Sequence, residues 1–79
     1  MTRLDNEAES QIAMKAVEAE RRGELTGPRT FHWTVRDKDM HRYKVRVRIV
    51  PVDDMTLDID YAVEPSGSGI GRRFIHAEL

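Results

Sequence analysis

Three residues with metal-ligating side chains alternate along one short polar stretch: Asp37, Asp39 and His41. Carboxylate and imidazole groups bind divalent cations when several of them converge on one point. The stretch lacks the glycine and the distant glutamate of a calcium-binding loop, and acidic residues are common in tight turns. We therefore expect a turn here, with no metal site and no cofactor.

Residues suited to covalent catalysis are scarce. The chain has no cysteine, and none of Ser10, Ser66 and Ser68 has a histidine at a recognisable spacing. A serine nucleophile needs such a base beside it. The glycines between residues 65 and 71 do not have the spacing of a dinucleotide-binding loop and are typical of a flexible link. We expect a protein that is not an enzyme.

A row of basic residues alternates along one predicted strand: Arg42, Lys44, Arg46 and Arg48. Period-two alternation sends all four side chains to the same face of a sheet. Such a row can bind an anionic surface, and further arginines near the ends of the sheet extend it: Arg29, Arg36, Arg72 and Arg73. Net charge is −1, however, whereas nucleic-acid binders usually show a clear basic excess.

Acidic residues on the next predicted strand favour a different interpretation of the row. Asp58 and Asp60 share its face, and matching the buried faces places Arg46 beside one of them. Each cross-strand ion pair contributes roughly 0.2–1 kcal/mol. This indicates a solvated face on which the charges largely neutralise one another.

The preceding strand offers no acid to the row. There the expected register places Thr34 beside Lys44 and His32 beside Arg46. The flank of the row toward this strand is therefore uncompensated. We identify His32 and Thr34 as candidate edge or interface residues.

The first element that positions these residues is a predicted N-terminal helix over about residues 7–22. Asn6 and Glu9 resemble a capping box, and Gly23 is placed to end the helix. Small apolar residues recur at helical spacing along one side: Leu4, Ala8, Ile12, Ala16 and Ala19. A helix with such a stripe can lie close to a sheet.

Three strands follow, at about residues 30–36, 41–50 and 55–64. Alternating apolar residues give each strand one buried face: Phe31, Trp33 and Val35; Tyr43, Val45, Val47 and Ile49; Met55, Leu57, Ile59, Tyr61 and Val63. The short polar connections predict hairpins. We expect one α+β domain over residues 1–79, in which the N-terminal helix packs on a three-stranded antiparallel meander (αβββ). Residues 1–5 and 65–71 are expected to be flexible.

The C-terminal residues fit two patterns. From Arg72 to Leu79 a fourth strand would place Ile75, Ala77 and Leu79 inward, whereas a short helix would group Ile70, Phe74 and Ala77. The pattern slightly favours the strand.

The order of a helix, three antiparallel strands and a glycine-rich turn with basic residues is similar to a double-stranded-RNA-binding domain. The segment Gly69-Ile70-Gly71-Arg72-Arg73 resembles that family's entry to its last helix. The resemblance implies RNA binding and a final helix. The sequence lacks the family's lysine pair and its alanine-rich final helix.

These observations favour a non-enzymatic protein-binding module, acting alone or as a homodimer. The core is small, and the edge strands of a meander can pair with another chain. Small stand-alone inhibitors from phages and mobile elements, including anti-defence proteins, have this size. Nucleic-acid binding through the basic strand is the alternative.

No stretch approaches the roughly 20 apolar residues of a membrane helix, and the N-terminus has no apolar signal region. We expect a cytoplasmic protein that does not bind membranes.

Overall fold

A computed structural model of the chain describes residues 4–64 and 73–78. One helix precedes four strands: α1 (Asn6–Arg21), β1 (Arg29–Arg36), β2 (Arg42–Pro51), β3 (Thr56–Glu64) and β4 (Arg73–Glu78). The strands form one antiparallel sheet in the order β1-β2-β3-β4, with α1 packed on one face. The predicted α+β class and the meander are confirmed, and the C-terminal segment is a strand rather than a helix.

The core lies between α1 and the sheet. Every residue of the predicted helical stripe is buried, and the apolar alternation of the strands faces it: Val35, Val45, Val47, Ile49, Leu57, Ile59, Tyr61, Val63 and Ala77. Three of the five stripe residues are alanine, so the helix backbone approaches the sheet closely. Glu9 on the helix accepts a hydrogen bond from the buried Tyr61 hydroxyl at 2.6 Å, which ties the two layers together.

The helix is capped by Asp5 and not by Asn6, so the predicted capping box is wrong. One carboxylate oxygen of Asp5 accepts a hydrogen bond from the Ala8 amide at 2.9 Å. The other accepts one from the Lys38 amide, also at 2.9 Å, in the β1–β2 hairpin. Asp5 therefore caps the helix and fixes its start to the sheet. At the other end, Gly23 has a φ of 74°, as expected of a terminating glycine.

Leu4, just before α1, is buried, whereas Met55, just before β3, is exposed. Within residues 1–5, which the sequence indicates to be flexible, Leu4 is 3% exposed and Asp5 caps the helix. The link at 65–71 lies outside the described residues. Alternation predicts Met55 on the buried face of β3, but Met55 precedes the strand in a bend and is 66% exposed.

The β1–β2 hairpin turns through Lys38, Asp39 and Met40. The Met40 amide donates to the Asp37 carbonyl and the Asp37 amide donates to the His41 carbonyl, each at 3.0 Å. Met40 closes this turn with a φ of 68°, a left-handed conformation that a side chain disfavours. Among the described residues, no helix combines the length and the apolar character that crossing a membrane requires.

Replacing Met40 with glycine is expected to stabilise the protein. The Met40 side chain is 64% exposed, so its removal loses little packing, while the left-handed strain is relieved. We expect Met40→Gly to raise the free energy of unfolding by about 0.5–1 kcal/mol, visible as a higher Tm. Gly23→Ala is the opposite test and should lower Tm. An unchanged or lower Tm in Met40→Gly would contradict the assigned turn.

Candidate functional site

The candidate metal ligands of the hairpin do come together. Donor atoms of Asp37, Asp39 and His41 lie within 4.8 Å of one another. The Asp37 oxygens, however, already accept hydrogen bonds within the hairpin: from the Asp39 and His41 amides, each at 2.9 Å, and from the Tyr43 hydroxyl at 3.2 Å. The three side chains lie close together because these hydrogen bonds hold the hairpin turn.

These hydrogen bonds also change the acidity of the hairpin. Partial burial alone raises the pKa of the Asp37 carboxyl, but the bonds donated by the His41 backbone, the Tyr43 hydroxyl and the Asp39 backbone outweigh it. The pKa of Asp37 therefore lies below its ordinary value of 3.8. Burial and the bond to Asp37 raise the pKa of Tyr43 above its ordinary value of 10.0.

The predicted basic row is exposed on the face of the sheet opposite the helix, which we call the outer face. All four of its residues are exposed. Along β1, Thr34 is opposite Lys44 and His32 is opposite Arg46, so the register expected on this side is confirmed.

The register expected on the other side of the row is wrong. Arg46 lies opposite Ala62, and the acid Asp60 lies opposite Arg48 instead. Val47 pairs with Tyr61 rather than with Leu57 or Ile59, so the β2–β3 register differs from the expected one by at least two residues. Asp58 and Asp60 of β3 therefore flank the far end of the row, and Arg46 has no carboxylate opposite it.

Two acids of β3 are occupied by histidines. Glu64 lies opposite Lys44, but its carboxylate contacts His32 Nδ1 on β1 at 3.0 Å. Asp58 contacts His76 Nδ1 on β4 at 2.9 Å. Within residues 4–64 and 73–78, the arginine and lysine side chains of β1 and β2 on the outer face form no ion pair.

The uncompensated charges collect at the hairpin end of this face. Arg36 of β1 lies directly opposite Arg42 of β2, a like-charge pair that costs stability when nothing neutralises it. Lys44 and Arg46 continue the charge along β2. We call the four residues the cationic patch: Arg36, Arg42, Lys44 and Arg46.

Arg29 does not join this patch. The sequence predicts that Arg29 extends the basic face, but alternation turns it to the helix side, where its guanidinium lies 4.8 Å from the centre of the Phe31 ring. Its Nη1 also donates to the Glu24 carbonyl at 3.1 Å. Arg72 lies outside the described residues. Arg73 begins β4 opposite Tyr61, and its side chain is not described.

The outer edge of β1 ends at a side chain that imitates a peptide group. Gln11 of α1 donates from Nε2 to the Arg36 carbonyl at 2.6 Å and accepts from the Arg36 amide at 3.0 Å. The amide and carbonyl of Arg36 thus point away from β2. Because these groups alternate in direction along an antiparallel strand, those of Thr34, His32 and Thr30 point outward too.

Nothing in the described part of the chain bonds these outward groups of Thr30, His32 and Thr34. The edge carries no lysine or proline and no bulge interrupts its register, and these are the features that usually block pairing with another chain. The three residues therefore form an open edge, available to an added strand.

An aromatic floor lies beside this edge on the helix side. The rings of Phe31 and Trp33 stack with their centres 5.0 Å apart and an interplanar angle of 25°, and both are only partly buried. Lys15 of α1 places Nζ 6.0 Å from the centre of the Trp33 ring. Between α1 and β1 the rings form the floor of an open groove of about 270 Å³, with Lys15, Glu18 and Arg22 along the helix side.

Sequence reasoning missed two parts of this site. No pattern marks Gln11, because its bond depends on where the helix crosses the strand. Alternation assigns Phe31 and Trp33 to the core, which is right for their face but not for their degree of burial. Their position on the first strand of a meander, an edge by topology, was the available clue.

Comparisons of the chain with protein-family models, curated proteins and solved structures find no match.

The role of Asp37 in the hairpin predicts a pH-dependent stability. A carboxylate whose folded pKa is lowered stabilises the protein above the unfolded pKa, and that contribution is lost as pH falls through the folded value. Asp37→Asn should therefore lower Tm at pH 7, and the gap to the parent protein should shrink below about pH 4. Thermal unfolding between pH 7 and pH 2 measures this, with exposed Asp54→Asn as the control. A gap that is constant with pH would contradict the assignment.

Proposed function

We propose that this chain is a non-enzymatic protein-binding module that pairs the open edge of β1 with an extended segment of a partner protein. The observation that carries the proposal is the row of outward amide and carbonyl groups at Thr30, His32 and Thr34. An added strand obtains affinity from main-chain hydrogen bonds of this kind and specificity from the side-chain pockets beside them. The aromatic groove next to β1 supplies such a pocket.

The bond made by Gln11 supports this proposal. Its side-chain amide forms both hydrogen bonds of a neighbouring peptide group, at 2.6 Å and 3.0 Å from Arg36. The edge therefore has the geometry to bind an amide on the side away from β2. Thr30, His32 and Thr34 point the same groups outward, and no described residue of the chain bonds them.

A small module of this kind can act as an inhibitor by covering a working surface of its partner. This is the role that the size and composition of the chain favour, including inhibition of the defence systems that target phages and mobile elements. On this proposal, inhibition is stoichiometric and depends on the β1 edge.

Proline at position 32 is the test of edge binding. The His32 amide points away from β2, so His32→Pro removes one outward donor without removing a bond of the β1–β2 ladder. His32→Ala is the matched control, because it also loses the contact with Glu64 but keeps the amide. Affinity purification from lysate of cells that express the protein should recover the same stoichiometric partner with the parent and His32→Ala, and lose it with His32→Pro.

Circular dichroism and Tm of both variants establish that the sheet is intact. Equal recovery with His32→Pro, while the fold is retained, would show that the partner binds elsewhere. Failure of the parent protein to retain any partner would contradict the protein-binding proposal itself.

A second candidate function is nucleic-acid binding through the cationic patch. The observation in its favour is that Arg36 lies directly opposite Arg42 and that neither forms an ion pair among the described residues. The same outer face also carries Asp58, Asp60 and Glu64, which would repel a phosphate backbone that lies across the whole sheet. This makes nucleic acid the weaker candidate.

Salt dependence tests this second candidate. Nucleic-acid binding predicts retention on heparin and on mixed DNA or RNA at low salt, an affinity that falls steeply with salt, and a large loss in the double variant Lys44→Glu/Arg46→Glu. Absence of retention at about 50 mM salt would exclude it. Retention that persists in the double variant would place the contact outside the patch.

A further inference from the structure

The partner's chemistry is constrained by the two surfaces that meet at the β1 edge. A strand that adds to β1 continues the sheet, so its side chains alternate between the helix side and the outer face. Each side chain of the added segment therefore meets one of two different environments.

On the helix side, the added segment meets an apolar floor. Phe31 and Trp33 present partly buried rings toward the groove. The Arg29 guanidinium lies 4.8 Å from the centre of the Phe31 ring, and Lys15 Nζ lies 6.0 Å from the centre of the Trp33 ring. Covering these rings removes apolar surface from water, which favours binding. The charges on the helix side of the groove include Lys15, Glu18 and Arg22, of which the last two pair with each other. This side favours apolar side chains in the partner.

On the outer face, the added segment meets positive charge. Arg36 lies on β1 itself, and Lys44 lies one strand further in, about 4.8 Å away, opposite the short Thr34. A threonine leaves room for the longer lysine to extend over it toward the edge. An acidic side chain opposite Thr34 would therefore have Arg36 and Lys44 as neighbours. One opposite His32 would have Arg46 as a neighbour, together with the Glu64 carboxylate that contacts His32 Nδ1 at 3.0 Å.

The length of the open edge limits the segment. Gln11 occupies the position next to Arg36, and the edge is open from Thr30 to Thr34. At about 3.3 Å per residue, an added strand of five or six residues fills this interval. A longer segment must bend away before it reaches Gln11.

We propose that the β1 edge binds a short extended segment of a partner protein in which acidic and apolar side chains alternate. This inference rests on the proposed protein-binding function and specifies its partner. The acidic side chains lie over the cationic patch, and the apolar ones cover Phe31 and Trp33. The charge complementarity of the patch selects this partner over a second copy of the chain, whose β1 offers Thr30, His32, Thr34 and Arg36 on the same face and no acid.

Short synthetic peptides provide the direct test. The probe is an octapeptide of alternating Glu and Val, blocked at both ends, and its control alternates Lys and Val. Trp33 is the only tryptophan of the chain, so its fluorescence reports binding at the groove. We expect the Glu/Val peptide to shift the Trp33 emission to shorter wavelength and to bind at least about tenfold more tightly than the Lys/Val peptide at low salt.

Two matched sets of variants separate charge from strand pairing. Lys44→Glu should weaken binding of the Glu/Val peptide about three- to fivefold, whereas Arg21→Glu, an equal change of charge on exposed α1, should have little effect. In a peptide that adds to the sheet, alternate amides point toward β1, and these belong either to the Glu or to the Val residues. Of two peptides N-methylated at the Glu or at the Val amides, one should therefore lose binding. The His32→Pro variant should lose binding of the unmodified peptide.

Each outcome distinguishes the partner chemistry from the function on which it rests. If both peptides bind equally and His32→Pro abolishes the binding, the claim of an acidic partner is wrong but the proposal of edge binding stands. Binding that survives both N-methylations would overturn strand addition. A duplex DNA that displaces the peptide and binds His32→Pro equally would favour nucleic acid. No binding of the Glu/Val peptide at millimolar concentration, or a dimer abolished by His32→Pro, would overturn the inference.

Discussion

The width of a single helix is the constraint on which the rest of this structure depends. A helix with its side chains is about 10–12 Å across, whereas four strands at about 4.8 Å spacing present a wider surface. The alanines of α1 bring it close to the sheet and complete a small core, but they add no breadth. The flanks of the sheet are therefore only partly covered. Phe31 and Trp33 on β1, and Ile75 on β4, are the partly buried residues that result.

The two faces of the sheet meet this constraint differently. The inner face is mainly apolar, and its exposed margin at β1 is aromatic. No element of the described part of the chain covers the outer face, on which the patch lies on β1 and β2 and the acids lie on β3. Histidines at positions 32 and 76 contact Glu64 and Asp58, and neither carboxylate forms an ion pair with an arginine or lysine of the patch. An open edge between an aromatic margin and a cationic face is thus a consequence of ordinary packing.

Most of the fold could be predicted from the sequence, because period-two and helical alternation identify which residues face inward. Alternation does not set the offset between strands, since a shift of two residues keeps every side chain on its face. That is why the sequence predicts an acid of β3 beside Arg46, whereas Asp60 lies opposite Arg48. The cap at Asp5 and the bond from Gln11 depend on contacts between distant segments. No local pattern indicates them.

Part of the candidate site could be predicted from the sequence for the same reason. The basic row and the positions of Thr34 and His32 follow from alternation, and the register on that side is as expected. The groove beside Trp33 follows only from the width of the helix relative to a sheet that gained a fourth strand. A sequence pattern predicts the face of a residue more reliably than it predicts how much of that residue remains exposed.

Amide hydrogen exchange along β1, resolved by residue, tests the central claim most directly. In the free protein, the amides of Phe31, Trp33 and Val35 should exchange slowly because they bond β2, while those of Thr30, His32 and Thr34 should exchange quickly. On saturation with the partner segment, the second set should become protected. Protection of all six amides in the free protein, or unchanged fast exchange of the second set when the segment is bound, would contradict an open edge that receives a strand.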